Sequence, residues 1–258
     1  FSLASFLHSA FTESSGWFTY GFLAGSRSVS LKGFMNGDPR YQIAYSSGMA
    51  FLNPHDPDLW LLWLAKRLRR GATVLEIGCG EGFEAFALAQ LGLDVIAIDA
   101  SPWAILRAQE AHSNNGVRFQ VGLWPDDQST LDKPFDLIVD IGCLHTVEVS
   151  LQRERYLKAI ADALTPQGQF YFRIGTDDLA ADASAVRRRP PSLPVWWELP
   201  TGETIVLPAP ARGWRPTQHE LVAAFAGASL RILNLLLVQG ITYPREYIGI
   251  AVREPFSE

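Results

Sequence analysis

Strand-like and helix-like segments alternate regularly after Gly71, and this alternation constrains the fold of the 258-residue chain more than any other feature. Five short apolar runs have the length and β-branched content of buried strands: 73–77, 95–98, 117–121, 135–139 and 169–174. Helical spacing of apolar residues marks three longer segments among them: 83–91, 102–112 and 151–164. Because a crossover that contains a helix joins parallel strands, the pattern predicts a parallel sheet with helices on both faces.

The C-terminal part of the chain predicts one more helix and two more strands. Thr217 and Glu220 have the T-x-x-E spacing of a capping box, so we expect a helix to begin there. Residues 230–238 and 247–252 are strand-like, and their connection is too short to hold a crossover helix. We therefore expect these two strands to pair antiparallel.

Two segments interrupt this pattern and set the expected domain organisation. Residues 1–57 are rich in aromatic side chains and show no clean periodicity, so we interpret them as an N-terminal lid or extension. The α/β domain then occupies residues 58–258. Within it, residues 176–212 contain six prolines, which indicates an inserted surface or cap segment, and a hairpin is expected at 196–206.

Composition argues against several classes of protein. The chain has 22 lysine and arginine residues against 27 aspartate and glutamate residues, a net charge of −5, which argues against a nucleic-acid partner. No run approaches the ~20 apolar residues that span a bilayer, so we expect no membrane association. Two cysteines are too few for a disulfide framework and indicate reduced thiols in a cytoplasmic protein. Because the chain opens with Phe1, we expect that it was trimmed or excised from a larger polypeptide.

A glycine-rich turn follows the first predicted strand, in the segment VLEIGCGEG at 74–82. Gly78 and Gly80 stand where a strand passes into a helix, and glycines at such a turn let a ligand approach the backbone closely. The glycine spacing alone is a weak indication of function, and a dinucleotide-binding site is an alternative interpretation. Phe83 occupies the last glycine position of G-x-G-x-x-G, however, and Glu76 stands beside the turn. An acidic group there suits a cationic ligand better than a pyrophosphate.

A second acidic residue, Asp99, ends the second predicted strand 21 residues after Gly78. A carboxylate at that place accepts hydrogen bonds from both ribose hydroxyls of a nucleoside. Together with Ala100, the FDLIVD segment at 135–140 and the LTPQG segment at 164–168, these motifs resemble the class I S-adenosylmethionine-dependent methyltransferase superfamily, small-molecule type.

The resemblance implies a Rossmann-like fold, in which a seven-stranded, doubly wound α/β sheet is mostly parallel with one antiparallel strand. It makes residues 58–258 a methyltransferase domain that carries the N-terminal lid and the inserted cap. It also implies S-adenosylmethionine as the cofactor. Gly78 and Gly80 would line its methionine moiety, Glu76 would orient the turn, and Asp99 would bind the ribose.

The adenine contact is where this chain departs from the family pattern. Many relatives carry an aspartate just after strand three for the adenine amino group, whereas this chain has Leu123. Asp126 or Asp127 is a candidate substitute, with Trp124 packing near the adenine. The expected cofactor-binding residues are Glu76, Gly78, Gly80, Asp99, Ala100, Leu123, Trp124 and Asp140.

His145 is the candidate catalytic residue. The segment DIGCLH at 140–145 resembles an Asp-x-Gly-x-x-His variant of small-molecule methyltransferases, and it leaves strand four where the transferable methyl is expected. An imidazole with a pKa of ~6.5 accepts a proton at neutral pH, which predicts a general base. A histidine that only supports the next helix is an equal alternative. Glu148 either orients His145 or is a solvated carboxylate at a helix start.

No metal is expected, because His145 and Glu148 lack further ligands at a recognisable spacing. Cys79 and Cys143 follow neighbouring strands, and we favour two small buried residues over thiolate or metal chemistry.

The N-terminal segment and the inserted segment are predicted to cover the site, and several of their residues have two possible roles. Arg187–Arg189 is interpreted as a solvated linker, with an anion clamp over the substrate as the alternative. The tryptophans at 196–197 and the N-terminal aromatic residues either form an apolar or cation-binding acceptor pocket or pack the lid. Tyr41 and Tyr45 either reach the cofactor carboxylate or are structural.

These patterns predict an S-adenosylmethionine-dependent methyltransferase that acts on a small, largely apolar metabolite. One alternative keeps the fold and the cofactor but catalyses a cyclisation or decarboxylation. Another is a non-catalytic domain of a larger polypeptide. A nucleic-acid or protein substrate is disfavoured, since no Asn-Pro-Pro-Tyr tetrad follows strand four.

Overall fold

The computed structural model describes residues 39–47, 57–112, 116–127, 131, 134–178, 195–198, 204–207, 213–239 and 245–254. The helices are α1 (Pro39–Ser46), α2 (Leu59–Ala65), α3 (Phe83–Gln90), α4 (Pro102–Ala111), α5 (Ser150–Ala163) and α6 (Gln218–Gly227), with a 3₁₀ turn at Leu144–Thr146. The strands are β1 (Thr73–Ile77), β2 (Asp94–Asp99), β3 (Arg118–Val121), β4 (Phe135–Ile141), β5 (Leu164–Gly175), β6 (Val195–Glu198), β7 (Thr204–Leu207), β8 (Leu230–Gln239) and β9 (Arg245–Arg253).

The predicted seven-stranded sheet is confirmed, with the order β3-β2-β1-β4-β5-β9-β8. Strands β1 to β5 pair in parallel, and β9 pairs antiparallel with both β5 and β8. The change of strand order between β1 and β4 opens a crevice at the carboxyl ends of these strands, where ligands bind in open α/β sheets. The candidate site residues leave the sheet at this edge.

The core lies on both faces of the sheet, because successive residues of a strand point to opposite sides. Val74 of β1 and Leu137 of β4 pack with α2, α3 and α4, whereas Leu75 and Ile138 pack with α5 and α6. All four side chains are fully buried. The central strands are therefore buried on both faces, and their acidic residues Glu76 and Asp140 stand near their carboxyl ends.

Local capping explains where several helices begin. The Thr217 side chain accepts a hydrogen bond from the Glu220 amide, and Glu220 bonds back to the Thr217 amide, so the predicted capping box is confirmed. Ser101 caps α4, whose first residue is Pro102. Strand β5 begins earlier than predicted, at Leu164, because Leu164 already pairs with Phe135 of β4.

The inserted segment is described only in part. Strands β6 and β7 pair antiparallel, which confirms the hairpin expected at 196–206. Arg187–Arg189 and the aromatic residues before residue 39 lie outside the described residues, so their expected roles stay predictions. The boundaries of the lid and of the cap stay predictions as well. In the part of the chain that the structure describes, every helix is too short or too polar to cross a membrane.

A buried ion-pair cluster attaches the start of α2 to the sheet. Arg173 of β5 donates from Nη1 to Asp58 Oδ2 at 2.8 Å and from Nε to Glu246 of β9. The Tyr171 hydroxyl donates to Asp58 Oδ1 at 2.8 Å, and Asp58 also caps α2 through the Trp60 amide. The cluster joins three segments that are distant in sequence.

Candidate active site at the carboxyl ends of the strands

The glycine turn after β1 is shaped by close backbone contacts. Gly78 and Gly80 have φ values of 71° and 53°, in the left-handed region that favours glycine. A Cβ atom on Gly78 would lie 2.7 Å from Cys143 Cβ, and one on Gly80 would lie 2.7 Å from the Tyr45 hydroxyl. Side chains at these two positions are therefore excluded. The turn presents bare backbone at the crevice, as a close-fitting cofactor requires.

Asp99 connects the end of β2 to this turn. Its Oδ2 atom accepts a hydrogen bond from the Gly80 amide at 2.9 Å, and Oδ1 accepts from the Ser101 amide at 2.8 Å. Burial raises the pKa of Asp99, although the side chain is only half-buried. A carboxylate oxygen accepts two hydrogen bonds, so each oxygen retains capacity for one more donor. Asp99 thus fits the predicted contact with two ribose hydroxyls.

Glu76 lies beneath the turn and is 3% exposed. It accepts a hydrogen bond from the Ala85 amide at the start of α3, and its Oε2 atom has no hydrogen-bond partner among the described residues. Burial, with Glu84 nearby, raises the pKa of Glu76 well above its ordinary value. A buried carboxyl oxygen without a hydrogen-bond partner among the described residues is stabilised by a ligand that brings a donor or a positive charge, and S-adenosylmethionine brings both.

Helix α1 lies against the ends of β1 and β2. Gln42 Nε2 donates to the Ala100 carbonyl at 3.2 Å, and the Tyr45 hydroxyl lies over Gly80. Tyr45 is 8% exposed, and burial raises its pKa, so it remains a hydroxyl donor. Sequence analysis named Tyr45 but gave no signal for Gln42. The helix brings the chain before the α/β domain to the predicted cofactor site.

The segment after β3 contains Leu123 and Trp124, the two residues expected near the adenine. The Trp124 indole is 4% exposed and packs in the core, where Nε1 donates to the Tyr156 carbonyl at 3.1 Å. The Leu123 amide donates to Asp127 Oδ2 at 2.9 Å, and Asp126 pairs with Arg155 at the surface. The predicted adenine contacts of Leu123 and Trp124 stay predictions. The burial of the indole in the core does not favour a stacking role for Trp124.

Asp140 holds the loop that carries His145. Its Oδ1 atom accepts from the Cys143 and Leu144 amides at 2.9 and 3.0 Å, and the Tyr156 hydroxyl donates to Oδ2 at 2.5 Å. The side chain is fully buried, which raises its pKa to about 6. These contacts indicate a positioning role, and the predicted contact of Asp140 with the cofactor stays a prediction. Tyr156 was not found by sequence analysis.

His145 is 6% exposed and is held from both sides. Its imidazole hydrogen-bonds the Gly142 backbone, and its carbonyl accepts from the Trp214 amide at 2.7 Å. Burial, with positive charge on Arg40 and Arg215, lowers the pKa of His145 to about 4. The imidazole is therefore neutral at pH 7 and able to accept a proton. No sequence pattern pointed to Arg40 or Arg215.

Glu148 is exposed and precedes the first residue of α5 by two positions, which agrees with the expectation of a solvated carboxylate at a helix start. Its Oε1 atom accepts from the Gly213 amide at 2.7 Å, which fixes the segment whose next residue, Trp214, bonds His145.

The two cysteines of the candidate site are free thiols. Burial raises the pKa of both Cys79 and Cys143, so both are protonated at neutral pH. Among the described residues, no three or more His, Cys, Asp or Glu side chains are grouped in a way that could hold a metal ion.

The shifted pKa of His145 predicts a pH effect on stability. The unfolded imidazole takes up its proton near pH 6.5 and the folded one only near pH 4, so folding stability from His145 is lost as pH falls between these values, by about 3 kcal/mol. Asp140, with its raised pKa, has the opposite dependence and masks the effect in the native protein. We expect His145→Gln to remove the loss of folding stability that the His145 imidazole causes as the pH falls.

Urea unfolding of both proteins at several pH values between 7 and 4 measures this. The stability difference should move in favour of the variant by about 3 kcal/mol as the pH is lowered. A difference that is independent of pH would show that the His145 pKa is not depressed. His219→Gln, on the exposed face of α6, serves as the control.

Comparison with known proteins decides the family. The family model for the methyltransferase domain matches residues 53–234. This chain belongs to the methyltransferase domain family. The match covers more than half of the chain and includes the glycine turn, Asp99 and His145. The predicted superfamily and its cofactor, S-adenosylmethionine, are confirmed at this level.

Individual relatives are more distant. The ribosomal protein L11 methyltransferase of Aliivibrio fischeri is 36% identical over 143 residues, which cover 54% of this chain and 46% of that protein. The chain thus spans about half the length of the curated relatives it matches. The CcbJ methyltransferase of Streptomyces caelestis has a TM-score of 0.61 at 19% identity, covering 84% of this chain and 98% of that chain. Magnesium protoporphyrin IX methyltransferase from Synechocystis PCC 6803, solved with bound SAH, has a TM-score of 0.55 at 17% identity, covering 89% and 90%. These solved structures share the fold.

Proposed function

We propose that this methyltransferase-family chain transfers the methyl group of S-adenosylmethionine to a small, largely apolar metabolite. The observation that carries the proposal is the position of Asp99. It bonds the amide of a side-chain-free glycine turn, keeps acceptor capacity for two hydroxyl groups, and lies at the sheet edge beneath α1. This arrangement supports a nucleoside cofactor with its reactive end near the β4 loop.

The chemistry then requires mainly positioning. When bound, S-adenosylmethionine supplies a methyl group on positively charged sulfur, which is already electrophilic. Asp99 and the glycine turn orient the nucleoside and the methionine, and Asp140 positions the β4 loop. Neutral His145 accepts the proton that the acceptor loses when its nucleophilic atom takes the methyl group. The transfer leaves a neutral thioether and a protonated imidazole, which returns its proton to water.

Two features support a small acceptor. Helix α1 lies against the ends of β1 and β2, with Tyr45 over Gly80 and Gln42 bonded to Ala100, and a helix in this position favours a small acceptor over a protein loop. Magnesium protoporphyrin IX methyltransferase, by its name, acts on a small molecule and shares the fold along most of the chain. We also retain the expectation of a cytoplasmic protein without a nucleic-acid or membrane partner.

A protein acceptor is the second candidate, because the curated relatives are named for ribosomal protein L11. The matched part covers under half of such a relative, so the similarity leaves the acceptor open. An assay with labelled cofactor, a panel of small hydroxy, amino and carboxylic compounds, and purified ribosomal protein L11 separates the two. Methylation of L11 alone would refute the small-molecule proposal. Product formation without methyl transfer would favour the cyclisation or decarboxylation alternative.

The cofactor assignment predicts the behaviour of Asp99 variants. Asp99→Ala should weaken binding of S-adenosylhomocysteine by ~2 kcal/mol or more, because two charge-assisted hydrogen bonds are lost, and Asp99→Asn should be milder. Isothermal titration measures both. Asp162→Ala, which removes an exposed carboxylate paired with Lys158 on α5, should bind normally.

The cofactor titration also tests the whole proposal. Absence of binding by the folded native chain would refute a cofactor site and favour the non-catalytic alternative. Unchanged affinity in both Asp99 variants would instead place the ribose elsewhere in the same fold. Melting temperatures of all variants show whether a loss of binding reflects unfolding.

A further inference from the structure

Three nitrogen-bearing side chains come from separate segments, and two of them act electrostatically on the third, which lies in the β4 loop. Arg40 lies on α1, His145 on the 3₁₀ turn, and Arg215 just before α6. The Nε atoms of both arginines and the Nδ1 atom of His145 are closed to solvent. The Trp214 amide, one residue before Arg215, donates to the His145 carbonyl at 2.7 Å, which fixes Arg215 near this loop. We call Arg40, His145 and Arg215 the basic cluster.

The basic cluster is displaced from the predicted cofactor contacts. On α1, Gln42 and Tyr45 reach Ala100 and Gly80, at the ends of β2 and β1. Arg40 precedes Tyr45 by five residues, about 7.5 Å along a helix axis, and its charge acts on His145 of the β4 loop. Arg215 Nη1 lies 3.7 Å from Asp177, just after β5. The cluster therefore lies over β4 and β5, on the side where the proposed acceptor would meet the methyl group.

The charges define a ligand class. Burial contributes most to the lowered pKa of His145, and the positive charges of Arg40 and Arg215 add to it, so both guanidinium groups lie close enough to act on the imidazole. Guanidinium groups bind carboxylates through paired N–H donors, and such charge-assisted bonds are stronger than neutral ones. Asp177 balances part of the charge on Arg215, which favours a singly charged carboxylate over a doubly charged phosphate.

We propose that the acceptor carries a carboxylate group, which Arg40 and Arg215 bind beside His145. This inference rests on the proposed function and refines it: the metabolite is an apolar acid. A carboxylate placed there also favours the imidazolium form, since an opposite charge raises the pKa of a histidine. Binding of the acid should therefore bring the pKa of His145 back toward the range of an effective general base.

The test uses pairs of probes that differ only in charge: benzoate with benzamide, and acetate with acetamide. The native chain is saturated with S-adenosylhomocysteine, and each probe is titrated by calorimetry and by NMR of the histidine ring protons. The His145 signal is assigned with His145→Gln. We expect benzoate to bind at least about tenfold more tightly than benzamide and to raise the pKa of His145. This comparison of acid and amide uses the native arginines, so its outcome does not depend on whether arginine variants fold.

Arginine variants test the assignment to residues. Arg40→Gln and Arg215→Gln should each weaken benzoate binding about tenfold or more and leave benzamide binding unchanged. Arg155→Gln, which removes a surface ion pair with Asp126, is the matched control. Equal binding of acid and amide, no saturable binding of either, or an unchanged pKa of His145 would overturn the proposal.

The cofactor's own carboxylate is the competing ligand for the two arginines. Loss of S-adenosylhomocysteine binding in Arg40→Gln or Arg215→Gln, with the benzoate preference intact, would overturn the proposal and assign the arginines to the cofactor. Failure of the native chain to bind S-adenosylhomocysteine would refute the proposed function itself. Cofactor binding without any preference for the acid refutes only this inference.

Discussion

His145→Ala is expected to lower turnover ~10²- to 10⁴-fold while affinity for S-adenosylhomocysteine changes little. The residue follows β4 at the crevice, and its neutral imidazole is the proton acceptor in the proposed reaction. Steady-state kinetics with an acceptor from the assay panel, together with cofactor titration, measure the effect. His219→Ala is the control, because that histidine is exposed on α6.

The pH profile separates a base from a structural histidine. Because the pKa of His145 is lowered to about 4, kcat/KM of the native enzyme should be level from pH 8 down to about pH 5 and fall only below it. The residual activity of His145→Ala should lack that acid limb. If the variant instead loses melting temperature, cofactor affinity and acceptor affinity together, with an unchanged pH profile, His145 is structural. Its contacts with Gly142 and Trp214 would then account for the loss.

Arg173→Ala is expected to destabilise the fold by about 3–5 kcal/mol, because it leaves the buried carboxylates of Asp58 and Glu246 without their cation. The Arg173 side chain is 13% exposed, and its two partners are 5% and 3% exposed, so water cannot readily replace the guanidinium group. Urea unfolding at pH 7 measures the loss.

The matched control is Arg118→Ala, which breaks the half-exposed pair with Asp94 on the same sheet. It should cost less than about 1 kcal/mol. A cost as small as this for Arg173→Ala would show that the buried carboxylates take up protons or water instead. The triple replacement of Arg173, Asp58 and Glu246 by apolar residues should recover part of the stability, since no unpaired charge then remains buried.

Sequence alone predicted those parts of the candidate site whose residues stand in a short local motif. The turn at Gly78 and Gly80 and the strand-end Asp99 follow from the order of strand, turn and helix. The capping box at Thr217 was equally readable, because its partner is three residues away. Such features need only short-range spacing and the parallel topology of the sheet.

The rest of the site depends on contacts between distant segments. Arg40 and Arg215 approach His145 from either end of the chain, and neither belongs to a motif. Trp124 follows β3 in the segment expected near the adenine, and its indole packs in the core because Nε1 donates to the Tyr156 carbonyl, 32 residues away. Side-chain direction after a strand is decided by tertiary packing, which single-sequence patterns do not contain.

The order of strands in the sheet bears on how this protein is made. Strand β9 lies between β5 and β8, so β8 has no other neighbour in the described sheet and must wait for the last strand to leave the ribosome. Glu246, which closes the cluster around Arg173, arrives at the same moment. Strands β1 to β4, which carry the candidate cofactor site, are therefore synthesised well before β8 and β9 can complete the other edge of the sheet. During that interval the leucine-rich β8 segment is exposed to chaperones and to neighbouring chains.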